Sequence, residues 1–261
     1  MNDDTMLPPE QVRADYNKTL RDVRGEYVQF RWLNSPTQRR HYQQTKAALR
    51  WAAGTARAGS LLEVGCGPAV WTPLFLPSAS AATLVDISDE MLRGARRVLA
   101  GRNGVSFVRA DFTETDLGSE QFDTAVSIRA FEYMPDKPRV LERFAHVLRP
   151  GGRLILVTKN AGWRDHQRAQ FAAKAPSPTD IPKEVRLQAG VVGWQALTEM
   201  ARGAGLREVE VHPVVIGSYE GLARSRPALL LFDLIHRTSY RGSMSGRLDA
   251  WTESVMLLAT R

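Results

Sequence analysis

The segment Leu61-Leu62-Glu63-Val64-Gly65-Cys66-Gly67 constrains this chain more than any other. Apolar residues run into a carboxylate and then into two glycines, which predicts a strand, a tight turn and a helix starting near Pro68. Roughly twenty residues further on, Ala82-Thr83-Leu84-Val85 predicts a second strand that ends on Asp86. This is the layout of a nucleotide-type site, in which glycines admit close backbone approach and an acid takes a ribose diol. A dinucleotide site also asks for a third glycine, so that helix and strand can pack around a pyrophosphate. Here Val70 holds that place, after Pro68 and Ala69, and Glu63 would repel phosphate. The site therefore suits a nucleoside-like ligand that lacks phosphate and carries positive charge.

With 261 residues and 43% hydrophobic content, the chain can bury one substantial core, or a core and a subdomain. No apolar run approaches the roughly 18 residues a membrane helix needs. The start, Met1-Asn2-Asp3-Asp4, lacks the apolar stretch of a secretory signal. The single cysteine, Cys66, forbids an internal disulfide and two-cysteine metal clusters, which points to a reducing cytoplasm and to no metal. The net charge of +7 comes from arginines spread along the chain, so a basic surface is expected rather than a nucleic-acid partner.

Strands are expected at 60–64, 82–86, 105–110, 122–128 and 153–158, with helical stretches near 69–77, 89–100 and 136–148 between them. Val140, Leu141, Phe144, Val147 and Leu148 recur at helical spacing, and Pro150-Gly151-Gly152 stops that helix. Two earlier helices, Gln11 to Arg24 and Pro36 to Ala53, are joined by an aromatic connector at 26–32; Ser35-Pro36 supplies a cap and a first-turn proline. Residues 160–192 break the rhythm. A helix from Trp194 to Arg202 and strands at 208–211 and 254–260 follow. Strand and helix in alternation predict an α/β fold, a parallel sheet with helices on both faces.

Glu63-Val64-Gly65-Cys66-Gly67, Asp86, Asp111-Phe112 and Leu148-Arg149-Pro150-Gly151-Gly152 follow one another in order. In these motifs the chain resembles class I S-adenosylmethionine-dependent methyltransferases, and among them the small-molecule branch called the methyltransferase-11 type. The likeness covers residues 58–160 well and 194–261 loosely. It implies a Rossmann-like, seven-stranded, mostly parallel sheet with an N-terminal helical lid at 1–57 and a core at 58–261. An insertion after the fifth strand, at 160–193, and another at 213–250 would then shape the acceptor pocket. The resemblance also implies S-adenosylmethionine as cofactor, with S-adenosylhomocysteine as product. By the same likeness, Gly65, Cys66 and Gly67 pass under the methionine part, Glu63 faces the ammonium, and Asp86 accepts both ribose hydroxyls. Ile87 and Met91 flank the adenine, Asp111 takes its exocyclic amine, and Phe112 covers the ring. On the residues alone other readings stay open: a plain turn at the glycines, a helix cap at Asp86, a loop acid at Asp111, a small buried filler at Cys66.

The fourth strand continues from Phe122 through Ser127 to Arg129 and Tyr133, and such carboxyl ends face both cofactor and acceptor in an open parallel sheet. Ser127 is counted with the cofactor. The Asn/Asp-Pro-Pro-Tyr of enzymes that methylate base amines is absent here, so an oxygen acceptor is expected before a nitrogen. Arg129 has two readings, a bidentate hold on an acceptor carboxylate or phosphate, or an ion pair with Glu132 or another acid. His166 and His212 are candidate bases, with a structural role as the alternative for each. Tyr16, Tyr27, Trp32, Tyr133 and Trp163 are candidate acceptor walls or plain packing. Leu229 to Ile235, flanked by arginines, could touch a lipid surface, pack as a buried helix or join two copies as a homodimer. The expected activity is methyl transfer to a small organic molecule. The alternatives are an RNA or protein acceptor and a non-catalytic cofactor-binding subunit.

Overall fold

Strand residues alternate between two cores, which is what a sheet covered on both faces requires. In the computed structural model, which describes residues 8–22, 26–172, 190–217 and 226–261, seven strands form one sheet. They are β1 (Gly59–Val64), β2 (Ala79–Asp86), β3 (Val105–Arg109), β4 (Phe122–Ile128), β5 (Leu148–Lys159), β6 (Arg207–Ile216) and β7 (Thr252–Thr260). Their order is β3-β2-β1-β4-β5-β7-β6. The first five pair in parallel, and β7 runs antiparallel to both β5 and β6. Leu62, Leu154 and Leu257 point into one core, while their neighbours Leu61, Ile155 and Leu258 point into the other.

Helices α1 (Pro9–Asp22) and α2 (Pro36–Ala53) precede the sheet, and α3 (Asp89–Val98) and α4 (Lys137–Val147) alternate with its strands. Then come α5 (Ala161–Ala172), α6 (Trp194–Gly203), α7 (Arg226–Ser239) and the short α8 (Gly246–Asp249). Ala48 and Leu49 of α2 share a core with Leu92 and Ala95 of α3. Leu141 and Phe144 of α4 meet Leu197 and Ala201 of α6 in the other core, on the opposite face. The expected cap of α2 forms: Ser35 accepts the Gln38 N–H at 3.1 Å, and Pro36 takes the first turn. No described helix is long and apolar enough to cross a membrane.

Several expectations are corrected. Residues 69–77 form no α-helix but two short 3-10 turns, Thr72–Leu74 and Leu76–Ser78. Pro73 and Pro77 each lack the N–H a helix needs and clash with the preceding turn. The aromatic connector contains a π-helical turn at Gln29–Leu33. The break expected at 160–192 begins with α5, and residues 173–189 lie outside the described residues. The segment expected as an insertion from 213 begins within a strand, because β6 continues past Pro213 to Ile216. Proline is tolerated there because β6 is the edge strand and its register to β7 shifts at Pro213.

Phe144 is fully buried, with its ring 4.6 Å from that of Phe112. Phe144→Ala is expected to lower stability by about 3–5 kcal/mol in urea unfolding. A loss under about 1 kcal/mol would mean that the α4 core is not packed as described.

Candidate functional site

The chain leaves β3 on one side of β1 and resumes at β4 on the other, so the strand order reverses between β1 and β4. Above that reversal, at the carboxyl ends of the strands, lies a cavity with an empty volume of about 1040 Å³, mouth included. The turn after β1 forms its floor. Gly65 has φ 68°, and a Cβ there would stand 2.2 Å from the Cβ of Ala130, so only glycine lets the turns after β1 and β4 pass each other. Asp86 and Ile87 from the end of β2, Met91 of α3, and Asp111 and Phe112 after β3 line its acidic part. Tyr16 of α1, Tyr27, Arg31, Trp32 and Tyr133 line a tyrosine-rich part, whose Tyr27 still feels the charge of Asp86.

Two acids dominate the first part. Glu63 is 2% exposed, and its Oε2 accepts the Thr72 hydroxyl at 2.6 Å. Burial raises its carboxyl to about 7. Asp86 accepts the Gly67 N–H on Oδ2 at 2.8 Å and the Ser88 N–H on Oδ1 at 2.9 Å. Burial outweighs those bonds and raises it to about 6. Neither acid has an ion-pair partner among the described residues. Asp111 Oδ1 accepts the N–H and hydroxyl of Thr113 at 2.8 and 2.7 Å. Burial pushes the Cys66 thiol well up, so it packs as a small apolar group and is no nucleophile. This part accepts hydrogen bonds and favours a cation.

Arg129 lines the cavity and forms the ion pair with Glu132. Its Nε donates to Glu132 Oε1 at 3.0 Å, its Nη1 to Ser254 Oγ at 3.1 Å, and its Nη2 lies 3.7 Å from Glu253 Oε1. All three charged side chains are less than a tenth exposed. The backbone of Arg129 has φ 62°, a strained value for a residue with a side chain, and its N–H is held by Val157 O at 2.8 Å.

Four expected site residues do not line the cavity. His212 belongs to the outermost strand, 2% exposed, with Nδ1 3.0 Å from Gly242 O and its ring 4.8 Å from Trp51. His166 and Trp163 lie on α5, which packs on β7; the His166 ring is 6.1 Å from that of Trp251, and Trp163 is buried. Ser127 sits one position too deep, since the cavity begins at Ile128, and its buried hydroxyl has no partner. Arg31 lines the cavity and was passed over in the sequence. Its only signal there was a lone cation inside the aromatic stretch 26–32.

Residues 62–156 match the family Methyltransf_11, described as a methyltransferase domain. A phosphatidylethanolamine N-methyltransferase of Cereibacter sphaeroides is 37% identical over 105 residues, 39% of this chain and 51% of that protein, so the chain spans about half of that relative. The O-methyltransferase cnsE of Penicillium expansum is 27% identical over 220 residues, 78% of this chain and 74% of its own. Among solved structures, the N-methyltransferase NodS of Bradyrhizobium japonicum, in complex with S-adenosylhomocysteine, superposes with a TM-score of 0.60 at 16% identity. It covers 94% of this chain and 98% of the NodS chain. The fold is that of the class I S-adenosylmethionine-dependent methyltransferases. Within that class, residues 62–156 form a domain of the methyltransferase-11 family, whose cofactor is S-adenosylmethionine.

Removing the Arg129 guanidinium would take from buried Glu132 its hydrogen-bonded ion-pair partner and from buried Glu253 a nearby positive charge. Arg129→Ala is expected to cost about 3–5 kcal/mol of stability, read by thermal or urea unfolding. A variant as stable as the parent would show that the pair does not hold this corner.

Proposed function

We propose that the chain moves the methyl group of S-adenosylmethionine to an oxygen of a small organic acceptor. The observation that carries this reading is the meeting, in one cavity, of two buried acids and a tyrosine-rich wall, with the strand reversal beneath. When bound, the cofactor supplies a methyl carbon activated by a sulfonium. Glu63 would meet its ammonium and keep one oxygen on Thr72, and Asp86 would accept the ribose hydroxyls while still holding the Gly67 and Ser88 amides. Ile87, Met91 and Phe112 would enclose the base, with Asp111 at its edge. The segment 1–57, through α1 and the helical turn after it, would act as a lid that excludes water and aligns the acceptor.

No histidine or lysine stands among the described residues that line the cavity. Loss of hydration pushes the Tyr16 phenol well above its usual value and Tyr27 upward, so both stay protonated at neutral pH. The described cavity wall thus offers no histidine or lysine as a base, which suits an oxygen that reacts without losing a proton on the enzyme. The long match to an O-methyltransferase supports oxygen as the acceptor atom. A lipid-borne acceptor is the second reading. It is favoured by Leu230, Leu231 and Leu234 of α7, at 70%, 55% and 60% exposed, and by the phosphatidylethanolamine-methylating relative.

Radiolabelled methyl donor incubated with cell extract is expected to place label in water-soluble small molecules. Label in lipid would promote the second reading, and label confined to RNA or protein would overturn both. Asp86→Ala is expected to weaken S-adenosylhomocysteine binding at least about 100-fold while the protein stays folded by circular dichroism, since two bonds to a charged group are lost. Near-parent affinity would remove Asp86 from the site.

Affinity should also depend on pH in a stated direction. Glu63 titrates at about 7 and Asp86 at about 6 in the ligand-free protein. A bound cation and donated hydroxyls favour both carboxylates, so the complex binds fewer protons than its parts. Binding of S-adenosylhomocysteine by calorimetry should therefore strengthen as pH rises from about 5.5 to 7.5, a range kept below the ligand's own α-amino group. A flat profile would mean that neither acid contacts the ligand.

A further inference from the structure

We infer that Arg31, with the hydroxyls of Tyr16, Tyr27 and Tyr133, forms the acceptor subsite, and that this subsite selects a small molecule bearing an anionic oxygen, a carboxylate or phenolate. The inference rests on the methyltransferase reading above and adds the class of acceptor.

The charges around the cavity carry the argument. At the cofactor end stand Glu63 and Asp86, neither in an ion pair with a described residue. Towards Arg31 stand two further acids, Glu132 and Glu253, and both are met by another arginine. Arg129 takes up Glu132 and Glu253, and Glu253 is also 3.3 Å from His41 Nδ1. Arg31 is left over. Its guanidinium lies over the Trp32 ring at 5.3 Å and forms no hydrogen bond or ion pair with any described residue. It lines the cavity and is half-buried, so the cation is held at the wall rather than released to bulk water.

The three phenols complete the arrangement. The Tyr16 and Tyr133 rings meet edge to face at 5.7 Å, and Tyr133 helps to raise the Tyr16 phenol. The charge of Arg31 acts on Tyr16 and on Tyr27 alike, so guanidinium and hydroxyls share one space. A planar fork of donors beside neutral hydroxyls matches a carboxylate or phenolate oxygen and gives no counter-charge to an ammonium. An amine acceptor would enter beside an uncompensated guanidinium, which is selection by repulsion as well as by attraction.

The reaction balances on these terms. A lone pair of the anionic oxygen forms the new O–C bond as the C–S electron pair returns to sulfur. One negative and one positive charge disappear together, and no proton is transferred. That matches a cavity wall in which no described residue is a histidine or lysine.

The test separates a protein-free cell extract by ion exchange into anionic, neutral and cationic small-molecule pools. Each pool is incubated with the full chain and radiolabelled methyl donor. The inference expects label in the anionic pool, and a loss of about tenfold or more in Arg31→Gln, carried by acceptor KM rather than kcat. S-adenosylhomocysteine affinity and melting temperature should stay at parent values in that variant, and Arg31→Lys, which keeps the charge without the fork, should lose less. Label in the anionic pool that Arg31→Gln leaves unchanged would overturn the subsite. Label in the neutral or cationic pool would overturn the acceptor class while sparing the methyltransferase reading. No label in any pool, with S-adenosylhomocysteine still bound, would sink that reading and the inference together.

Discussion

Two carboxyl groups held at the ends of adjacent parallel strands, without a cation, are the constraint on which the site depends. Glu63 closes β1 and Asp86 closes β2, and the register aligns these strands side by side. Raising Glu63 from 4.5 to about 7 corresponds to about 3 kcal/mol. The sign is that of an acid raised by burial: the ligand-free fold gains stability as pH falls from about 7 towards 4.5, and lacks that stability at higher pH. A positive charge brought beside the two carboxylates would offset this cost. The surroundings serve this arrangement. The 3-10 turn at Thr72–Leu74 sets a hydroxyl on Glu63, and the glycine turn sets an amide on Asp86.

Arg129 shows how a buried cation is held in the cavity wall. Its left-handed backbone would cost little with glycine. The arginine is held by Glu132 just past β4 and by Glu253 in β7. The pair locks the end of β4 to the antiparallel strand beyond β5 and removes both acids from the cavity's charge count. With Arg129 thus paired inside the wall, Arg31 is the cavity-lining arginine that forms no ion pair with a described residue.

What the sequence made legible was local. Gly65, Gly67 and Asp86 stood out because a tight turn and a strand-end acid depend on neighbours a few residues away. The α/β order, the parallel core and the cap at Ser35 were readable for the same reason. The expected helix at 69–77 failed because its apolar residues were weighed above Pro73 and Pro77, and backbone chemistry decides in a segment that short. Long-range facts were beyond reach. Nothing near Arg129 in the chain announces Glu253, which lies in another strand, and nothing near His212 tells that β6 is the sheet's outer edge. The histidines drew attention by residue type alone. Geometry keeps both out of the cavity wall.

The two ends of the cavity are joined by a short chain of hydrogen bonds. Asp86 Oδ1 accepts the N–H of Ser88, whose hydroxyl caps α3 by taking the Met91 N–H at 3.1 Å. The same hydroxyl donates to Asn17 Oδ1 at 2.6 Å, and Asn17 lies on α1 beside Tyr16. One serine therefore fixes the strand-end acid, starts the helix behind it and ties down the helix that carries a phenol of the other end. A hydroxyl has a single proton, so the Ser88 donor cannot serve Asn17 and any other acceptor at once. Ordering Asp86 around a ligand orders Ser88, and through it the position of Tyr16. Donor and acceptor walls are in this sense one construction, with the rigid sheet end as foundation and α1 as its dependent part.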